Sequence, residues 1–349
     1  MVKKNDEYIV TIEDMGSEGE GVGKIDGYTV FVKDALPGEK ARIKITKAGK
    51  SFGYGRLMEV LEPSEYRVEP RCPIARKCGG CQIQEMSYEA QLAFKEKKVQ
   101  NNLERIGKIA PSEYEMCTII GMEEPYNYRN KAQYPVGLDK DGRIVMGFYA
   151  GRTHSIIPCE DCAIGDKINS EILAIVKSHM EEFHIQPYNE ETHKGVVRHV
   201  LIRRGFTTNQ CMVCIIVNGC ELKGATKLVE RLKAIDGMTS ISININKEKT
   251  NVIMGKTVID LYGEGYIEDY IGDVKFRISP LSFYQVNPVQ TKELYGKALE
   301  FAGLTGEETV WDMYCGVGTI SLFLAKAARK VYGVEIVPEA IEDARKNAK

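Results

Sequence analysis

The stretch Thr309-Val-Trp-Asp-Met-Tyr-Cys-Gly-Val-Gly318 decides the fold of the C-terminal region. Thr309–Asp312 is rich in strand formers, which predicts a buried strand that ends in an acidic residue. Cys315–Gly318 predicts a tight loop. A helix, a second strand and a second helix are expected at Thr319–Ala328, Lys330–Glu335 and Pro338–Ala348. Strands that alternate with helices predict a parallel sheet, here the first half of a Rossmann-like doubly wound domain.

The loop and the strand after it have the composition of a nucleoside-binding site. Gly316 and Gly318 let the backbone approach a ligand beside a helix N-terminus. Glu335 closes the second strand, where a carboxylate can accept hydrogen bonds from both ribose hydroxyls. A dinucleotide site has a third glycine where Ser321 stands, so S-adenosylmethionine (SAM) fits better than NAD. A plain β-α-β crossover without a ligand is the alternative.

Other side chains are expected around the same pocket. Asp312 and the loop backbone would face the methionine part of SAM, and Tyr314 would line the pocket. The polar and aromatic stretch Pro280–Pro288 precedes a helix expected at 288–302 and could fold over the ligand. Within it, Gln285 offers a hydrogen-bond donor and acceptors, and Phe283 offers a stacking face.

A cysteine cluster occupies an earlier loop, Cys72-x5-Cys78-Gly-Gly-Cys81, and Cys159 and Cys162 follow far downstream. Three thiolates on one loop with a distant fourth can hold a [4Fe–4S] cluster or a zinc ion. Spacing alone does not separate these two, and three thiols that bind no metal are a further alternative.

The remaining cysteines and histidines favour structural roles. Cys211 and Cys214 lie in an apolar strand, where cysteine acts as a small hydrophobe. Cys315 is expected to pack under the glycine turn. Its alternative role is a reactive thiol whose pKa a helix N-terminus lowers. His199 is expected in a half-exposed strand.

The composition of the 349 residues, 43% hydrophobic and 28% charged, excludes a mainly disordered chain and fits two to three domains. The formal net charge of −2 requires that any nucleic-acid contact come from local basic patches. No signal peptide is apparent, and the longest apolar run, Cys211–Val217, is too short for a membrane span. We expect a cytoplasmic monomer with no membrane partner.

Residues 1–62 are expected to form a small β-barrel of the TRAM or OB type, with about six short strands between glycine-rich turns. Lys40–Arg56 carries six basic residues and no acidic one, with Phe52 and Tyr54 among them. Cations with interleaved aromatic rings suit a nucleic-acid groove. A solvated strand face is the alternative.

Residues 63–280 are expected to form an α+β domain that holds the cysteines, and residues 281–349 the incomplete cofactor domain. A helix over Ser87–Ile106 is predicted to bury one face. The residues of that face are Leu92, Val99, Leu103 and Ile106. Further helices and strands are expected at Ile168–Phe183, Gly224–Ile235, Val197–Arg203, Cys211–Val217 and Ser240–Asn246.

In this order, the pieces resemble the RNA uracil-5-methyltransferases, and more narrowly the iron–sulfur 23S rRNA (uracil-5-)-methyltransferases with an N-terminal TRAM domain. The resemblance covers the whole chain. Its most specific parts are Cys72-x5-Cys78-Gly-Gly-Cys81-Gln, Ser282-Phe-Tyr-Gln-Val-Asn287 and Asp312-Met-Tyr-Cys-Gly-Val-Gly318.

The resemblance implies a set of ligand contacts. The implied SAM contacts are Gln285, Tyr314, Glu335 and Thr319. Phe283 is implied near the cofactor or a flipped base. Of the two possible metal centres, the resemblance implies the [4Fe–4S] cluster, with Cys162 as the fourth ligand. It does not assign a role to Cys159. The implied partner is RNA, with rRNA favoured over tRNA.

The implied chemistry activates uracil C5. A cysteine thiolate adds to C6, C5 then attacks the methyl group of SAM, and a base removes the C5 proton before the thiolate leaves. The family places that cysteine and a catalytic glutamate late in the methyltransferase domain, beyond Lys349. We therefore assign no catalytic residue and expect this 349-residue form to be inactive, with an apolar sheet face uncovered. Cys315 does not match the nucleophile.

Two other functions are considered. A non-catalytic RNA-binding iron–sulfur protein would use the barrel and the cluster alone. A radical-SAM methylthiotransferase is disfavoured, because that class has a Cys-x3-Cys-x2-Cys motif and a C-terminal TRAM domain.

Overall fold

The computed structural model describes residues 2–151 and 153–349. They form two compact units, one made of residues 2–123, 149–151 and 153–154 and the other of residues 124–148 and 155–349. The fold class predicted from the sequence, a small β-barrel followed by mixed α/β structure, is confirmed. None of the described helices is long and apolar enough to span a bilayer.

The first unit contains a closed barrel of five strands in the order β1-β2-β3-β5-β4. Their bounds are β1 Glu7–Met15, β2 Gly21–Ile25, β3 Tyr28–Lys33, β4 Lys40–Ala48 and β5 Phe52–Glu62. Alternate side chains point inward, and Val30, Ile43 and Ile45 are fully buried at 0% exposure. The barrel has five strands rather than about six, because β4 and β5 run unbroken for 9 and 11 residues.

Helix α1, Tyr88–Asn101, begins where the Ser87 hydroxyl accepts the Ala90 N–H at 3.4 Å. A π-helical turn, Asn102–Ile106, extends it, and a 3₁₀ turn follows at Pro111–Glu113.

The predicted burial of one face of this helix is wrong. Val99 is 51% exposed and Ile106 is 77% exposed. The helix contacts the barrel through polar groups instead. Lys97 pairs with Asp14 at 3.3 Å, and Lys98 donates to the Ser17 carbonyl at 2.8 Å.

The second unit is built on a seven-stranded sheet in the order β12-β11-β10-β9-β6-β7-β8. The strands are β6 Lys131–Leu138, β7 Ile144–Tyr149, β8 Ile156–Pro158, β9 Val197–Arg204, β10 Cys211–Val217, β11 Met238–Ile245 and β12 Thr257–Tyr262. Helices α2 (Ile168–Glu182) and α3 (Ala225–Leu232) contribute to the apolar core on one face. Strands β10 and β11 are parallel because α3 forms the crossover between them.

The chain then forms a hairpin and an α/β unit. Their elements are β13 Ile267–Ile271, β14 Val274–Ile278, α4 Pro288–Ala302, β15 Thr309–Asp312, α5 Thr319–Leu324, β16 Lys330–Gly333 and α6 Pro338–Asn347. Strands β15 and β16 are parallel, as the motif predicted. Phe276, Tyr284, Tyr295 and Phe323 form a shared buried cluster.

The prediction that β15 is buried is wrong. Trp311 is 60% exposed and stacks on Tyr332 with ring centroids 4.7 Å apart. The described sheet around β15 has two strands. A two-stranded sheet leaves both outer edges and part of its faces uncovered, so the expected uncovered apolar surface is observed.

Candidate cofactor-binding site

The loop after β15 has the backbone geometry that its glycines predict. Gly316 has φ 53° and Gly318 has φ 85°, values that strain any residue with a side chain. Gly318 lies directly before α5. The loop amides lie at the carboxyl end of a strand, where open α/β sheets bind ligands.

The Glu335 carboxylate lies against this loop. Its Oε2 accepts the Gly316 N–H at 3.2 Å, and its Oε1 accepts the N–H groups of Ile336 at 2.8 Å and Val337 at 2.9 Å. A carboxylate has about four lone-pair sites, so Glu335 retains capacity for a ligand hydroxyl.

Asp312 is half-buried and is held from two sides. One oxygen accepts the Tyr314 N–H at 3.3 Å, and the other accepts the Ser321 hydroxyl at 2.6 Å. Ser321, which stands where a dinucleotide site has glycine, thereby orients this carboxylate. Tyr314 itself is 92% exposed, and its place in the pocket lining stays a prediction.

Thr319 begins α5 and bonds a residue that the sequence reasoning missed. Its hydroxyl lies 2.9 Å from the hydroxyl of Tyr295 on α4, and Tyr295 is buried. This bond ties α4 to the loop. In the sequence, Tyr295 is a single aromatic residue in a predicted helix. Such a residue more often indicates core packing than a functional site, so it was not singled out.

Two buried polar residues hold the segment that carries Gln285. The Asn130 side chain donates to the Gln285 carbonyl at 2.9 Å, and its backbone N–H donates to the Val286 carbonyl at 2.9 Å. The Arg203 guanidinium donates to the Ser282 carbonyl. Asn130 and Arg203 are 4% and 2% exposed, and neither was singled out from the sequence.

The same segment is joined to α6. The Ser282 hydroxyl donates to the Asp343 carboxylate at 2.9 Å and accepts the Ser279 N–H at 2.9 Å. Phe283 projects outward and is 72% exposed. The arrangement therefore fixes the backbone of the segment and leaves the Phe283 ring available for stacking.

The five cysteines of the predicted metal site are divided between the two units. Cys72, Cys78 and Cys81 lie in the first unit, and Cys159 and Cys162 in the second. Hydrogen bonds from the Cys159 thiol and from the backbone N–H groups of the following turn lower the pKa of Cys162 to about 6, although burial opposes the shift.

No group of three or more cysteine, histidine, aspartate or glutamate side chains within residues 2–151 and 153–349 is placed to hold a metal ion. The [4Fe–4S] cluster and its zinc alternative therefore stay proposals.

One other expectation is corrected, and two are confirmed. His199 is buried rather than half-exposed, and burial lowers its pKa to about 4. Burial raises the pKa of Cys315, with the carboxylates of Asp312 and Glu335 adding to the shift, so Cys315 is a packed thiol and not an activated one. Cys211 and Cys214 are fully buried in β10, as expected.

Comparison with known proteins places this geometry in a family. The sequence profile of the TRAM domain matches residues 2–58. An uncharacterized RNA methyltransferase of Clostridium acetobutylicum is 52% identical over 349 residues, which cover 100% of this chain and 76% of the relative. The chain belongs to this family of RNA methyltransferases.

A second relative of this RNA methyltransferase, from Halalkalibacterium halodurans, is also 52% identical, with 100% of the chain and 76% of the relative covered. Among solved structures, Pyrococcus abyssi tRNA (uracil-54, C5)-methyltransferase in complex with S-adenosyl-L-homocysteine matches with a TM-score of 0.76 and 27% identity. That match covers 97% of this chain and 76% of the other. The predicted methyltransferase fold is confirmed.

Proposed function

We propose that this RNA methyltransferase transfers a methyl group from SAM to C5 of uracil. The observation that carries the proposal is the Glu335 carboxylate, 3.2 Å from the Gly316 N–H at the carboxyl ends of two parallel strands. The Pyrococcus protein supports it, since that protein acts on uracil C5 and is bound to S-adenosylhomocysteine.

The loop residues would hold SAM. Glu335 would accept hydrogen bonds from the ribose hydroxyls, and Asp312 with the amides of Gly316 and Gly318 would face the amino-acid part. SAM supplies a methyl group that is activated by its positively charged sulfur.

The flanking residues would complete the site. Gln285 and Thr319 would contact SAM with side-chain oxygens or nitrogens, and Tyr314 would cover it. Phe283 would stack on the target base once that base has left its own stack. The hydrogen bonds that Asn130 and Arg203 donate would keep Gln285 and Phe283 in place.

The methylation step requires a nucleophile at C6, because uracil C5 alone is a weak nucleophile. In the proposed sequence a cysteine thiolate bonds to C6, and C5 then attacks the methyl carbon of SAM, so that S-adenosylhomocysteine leaves with the electron pair of the broken S–CH3 bond. A base next takes the C5 proton, the C5–C6 double bond re-forms, and the thiolate leaves with the C6–S electron pair. None of the ten cysteines of this chain is assigned that role.

The proposed RNA is 23S rRNA, and tRNA is the second candidate, favoured by the tRNA substrate of the Pyrococcus protein. The test incubates protein purified from its native cells with SAM that carries a labelled methyl group, and with each RNA separately. Labelled 5-methyluridine in the nuclease digest is expected. Label on cytosine or on any other position of the RNA would contradict the proposal.

The [4Fe–4S] cluster is proposed from the spacing of Cys72, Cys78 and Cys81 and from the family resemblance, which implies Cys162 as the fourth ligand, and no step of the reaction is derived through it. Iron and sulfide analysis after anaerobic purification tests it. Zinc in place of iron and sulfide would favour the alternative metal.

A purely RNA-binding protein is distinguished by its response to SAM. Titration calorimetry with S-adenosylhomocysteine should show saturable binding to the purified chain. RNA binding without any binding of S-adenosylhomocysteine would favour the non-catalytic alternative.

A further inference from the structure

Helix α6 carries two polar side chains on the face that it packs against the rest of the C-terminal α/β unit. Asp343 and Asn347 have i, i+4 spacing, so they lie on the same side of the helix. Both are partly buried, whereas Glu342 and Arg345 point to other sides and are exposed. Polar groups on a packed face are expected to find hydrogen-bond partners in the segments that the helix contacts.

The Asn347 side chain bonds two separate segments. Its Nδ2 donates to the Val317 carbonyl at 3.0 Å, within the glycine loop after β15. Its Oδ1 accepts the Arg277 N–H at 2.8 Å, on β14. Ala344 lies beside the same loop, since a Cβ on Gly318 would be 3.5 Å from the Ala344 Cβ. One amide side chain therefore holds the glycine loop and the hairpin strand to α6, with a donor on one side and an acceptor on the other.

The Asp343 carboxylate bonds the Pro280–Pro288 segment. Its Oδ2 accepts the Ser282 hydroxyl at 2.9 Å, and Ser282 is only 6% exposed. The Ser279 hydroxyl lies 2.8 Å from the Ser282 hydroxyl and 3.5 Å from the same carboxylate oxygen. Lys346 reaches the other carboxylate oxygen at 3.7 Å and is 54% exposed, so this ion pair contributes little. The buried serine is therefore the main partner of the carboxylate.

We infer that Asp343 and Asn347 are positioning residues for the proposed reaction. Together they set the distance between the glycine loop and the segment that carries Phe283 and Gln285. The inference rests on the proposed function, in which SAM touches both the loop and Gln285 while the target base stacks on Phe283. Methyl transfer needs reacting atoms roughly 3–3.5 Å apart, so a small shift of either segment is costly.

The role assigned to α6 differs from that of the other bonds around the site. Asn130 and Arg203 hold the segment to the seven-stranded sheet, and Glu335 holds the loop to the chain after β16. The bonds of α6 reach the loop and the segment from one rigid helix. The Tyr295–Thr319 bond is a further link, from α4 to the start of α5. Because these other bonds remain, variants of α6 should fold with the two segments displaced rather than released.

The first test is amide hydrogen exchange of the full chain without ligand. Asp343→Ala should speed exchange in peptides that cover residues 279–283 about tenfold or more, because a hydrogen bond to a charged group contributes more than one tenfold step. Asn347→Ala should instead speed exchange in peptides that cover residues 274–278 and 315–319. A helix that served only as packing would give both variants the same pattern, and that result would overturn the inference.

Glu342→Ala is the matched control for these variants. Glu342 is an exposed carboxylate on the same helix, so its loss should leave exchange in all three groups of peptides unchanged. Asp343→Asn keeps an oxygen that can accept the Ser282 hydroxyl and should restore most of the slow exchange. Equal acceleration in Glu342→Ala and Asp343→Ala, or none in Asp343→Ala, would overturn the inference.

The second test is calorimetric titration with S-adenosylhomocysteine. Asp343→Ala and Ser282→Ala should each weaken binding about fivefold, the value of one net hydrogen bond. The double variant should bind no more weakly than either single variant, because both side chains act through the same bond. Additive losses in the double variant, or a loss that Asp343→Asn does not reverse, would contradict the positioning role.

The two measurements separate this inference from the proposed function. If the unchanged protein binds no S-adenosylhomocysteine, the proposed function is wrong, and exchange without ligand still decides whether α6 holds the two segments. If the ligand binds but Asp343→Ala and Asn347→Ala give the same exchange pattern, the proposed function stands and the positioning role of α6 is wrong.

Discussion

The barrel and the C-terminal α/β unit were both anticipated from short sequence patterns, yet they differ in how completely they are packed. In the barrel, Ile43 and Ile45 are fully buried. In the β15–α6 unit, Trp311 is 60% exposed, Ile336 is 91% exposed, and α6 has no buried residue. The difference teaches that a loop motif shapes its own backbone, whereas burial depends on how many strands and helices surround it.

The largest expected contrast is in stability. Ile43→Ala should destabilise the barrel by about 2–5 kcal/mol, because it removes buried methyl groups and leaves a cavity. Hydrogen exchange of peptides from residues 40–62 measures this loss, with the exposed Met58→Ala as control. A loss no larger than that of Trp311→Ala would break the comparison.

A fall in pH should lower the stability of the second unit more than that of the barrel. Burial lowers the pKa of His199 from 6.5 to about 4, so the folded state favours the neutral ring. Its contribution is fully present above pH 6.5 and is lost as the pH falls toward 4, by about 1.4 kcal/mol per unit. Arg198 adds to the shift and Glu190 opposes it.

Hydrogen exchange measured between pH 6.5 and 5 and corrected for intrinsic rates should show faster exchange in β9 and its neighbouring strands as the pH falls. The effect begins near pH 6.5 because that is the ordinary pKa of a histidine side chain. The barrel strands contain no histidine and should change less. His199→Gln should flatten the response of the sheet. An equal response in both regions would argue against His199 as the cause.

Changes at the glycine loop after β15 should weaken ligand binding more than they reduce stability. Glu335→Ala should weaken S-adenosylhomocysteine binding roughly 10- to 100-fold, the range for hydrogen bonds to a charged group. Calorimetry measures it, with the exposed Glu342→Ala as control. Undiminished binding would remove Glu335 from the proposed site.

The smallest effect is expected at the exposed strand. Trp311→Ala should cost about 1 kcal/mol or less, because it removes mainly the stacking on Tyr332. Thermal unfolding of the second unit measures the cost. A loss of several kcal/mol would show that Trp311 is packed in solution, and would narrow the difference between the two regions.

Much of the secondary structure was predictable. The strand Cys211–Val217, the helix at 288–302 and the strand Thr309–Asp312 have the predicted bounds. Their apolar patterns are local and strong. The exposed face of α1 was not predictable, because Val99 and Ile106 have helical spacing whether or not another element covers them.

The candidate site was only partly predictable, for a related reason. Gly316, Gly318 and Glu335 act within one α/β unit, and their spacing carries the signal. Asn130 and Arg203 contact the Gln285 segment from positions 155 and 79 residues away from their partners. Nothing local in the sequence links such distant partners.

Sequence patterns determined the elements, the glycine loop and the resemblance to RNA uracil-5-methyltransferases, because each depends on residues close together in the chain. The tertiary structure decided which surfaces are covered, which polar groups meet, and that the Phe31 ring contacts the rings of Phe52 and Tyr54. Those outcomes depend on strand order and on long-range hydrogen bonds, which arise only when distant segments come together.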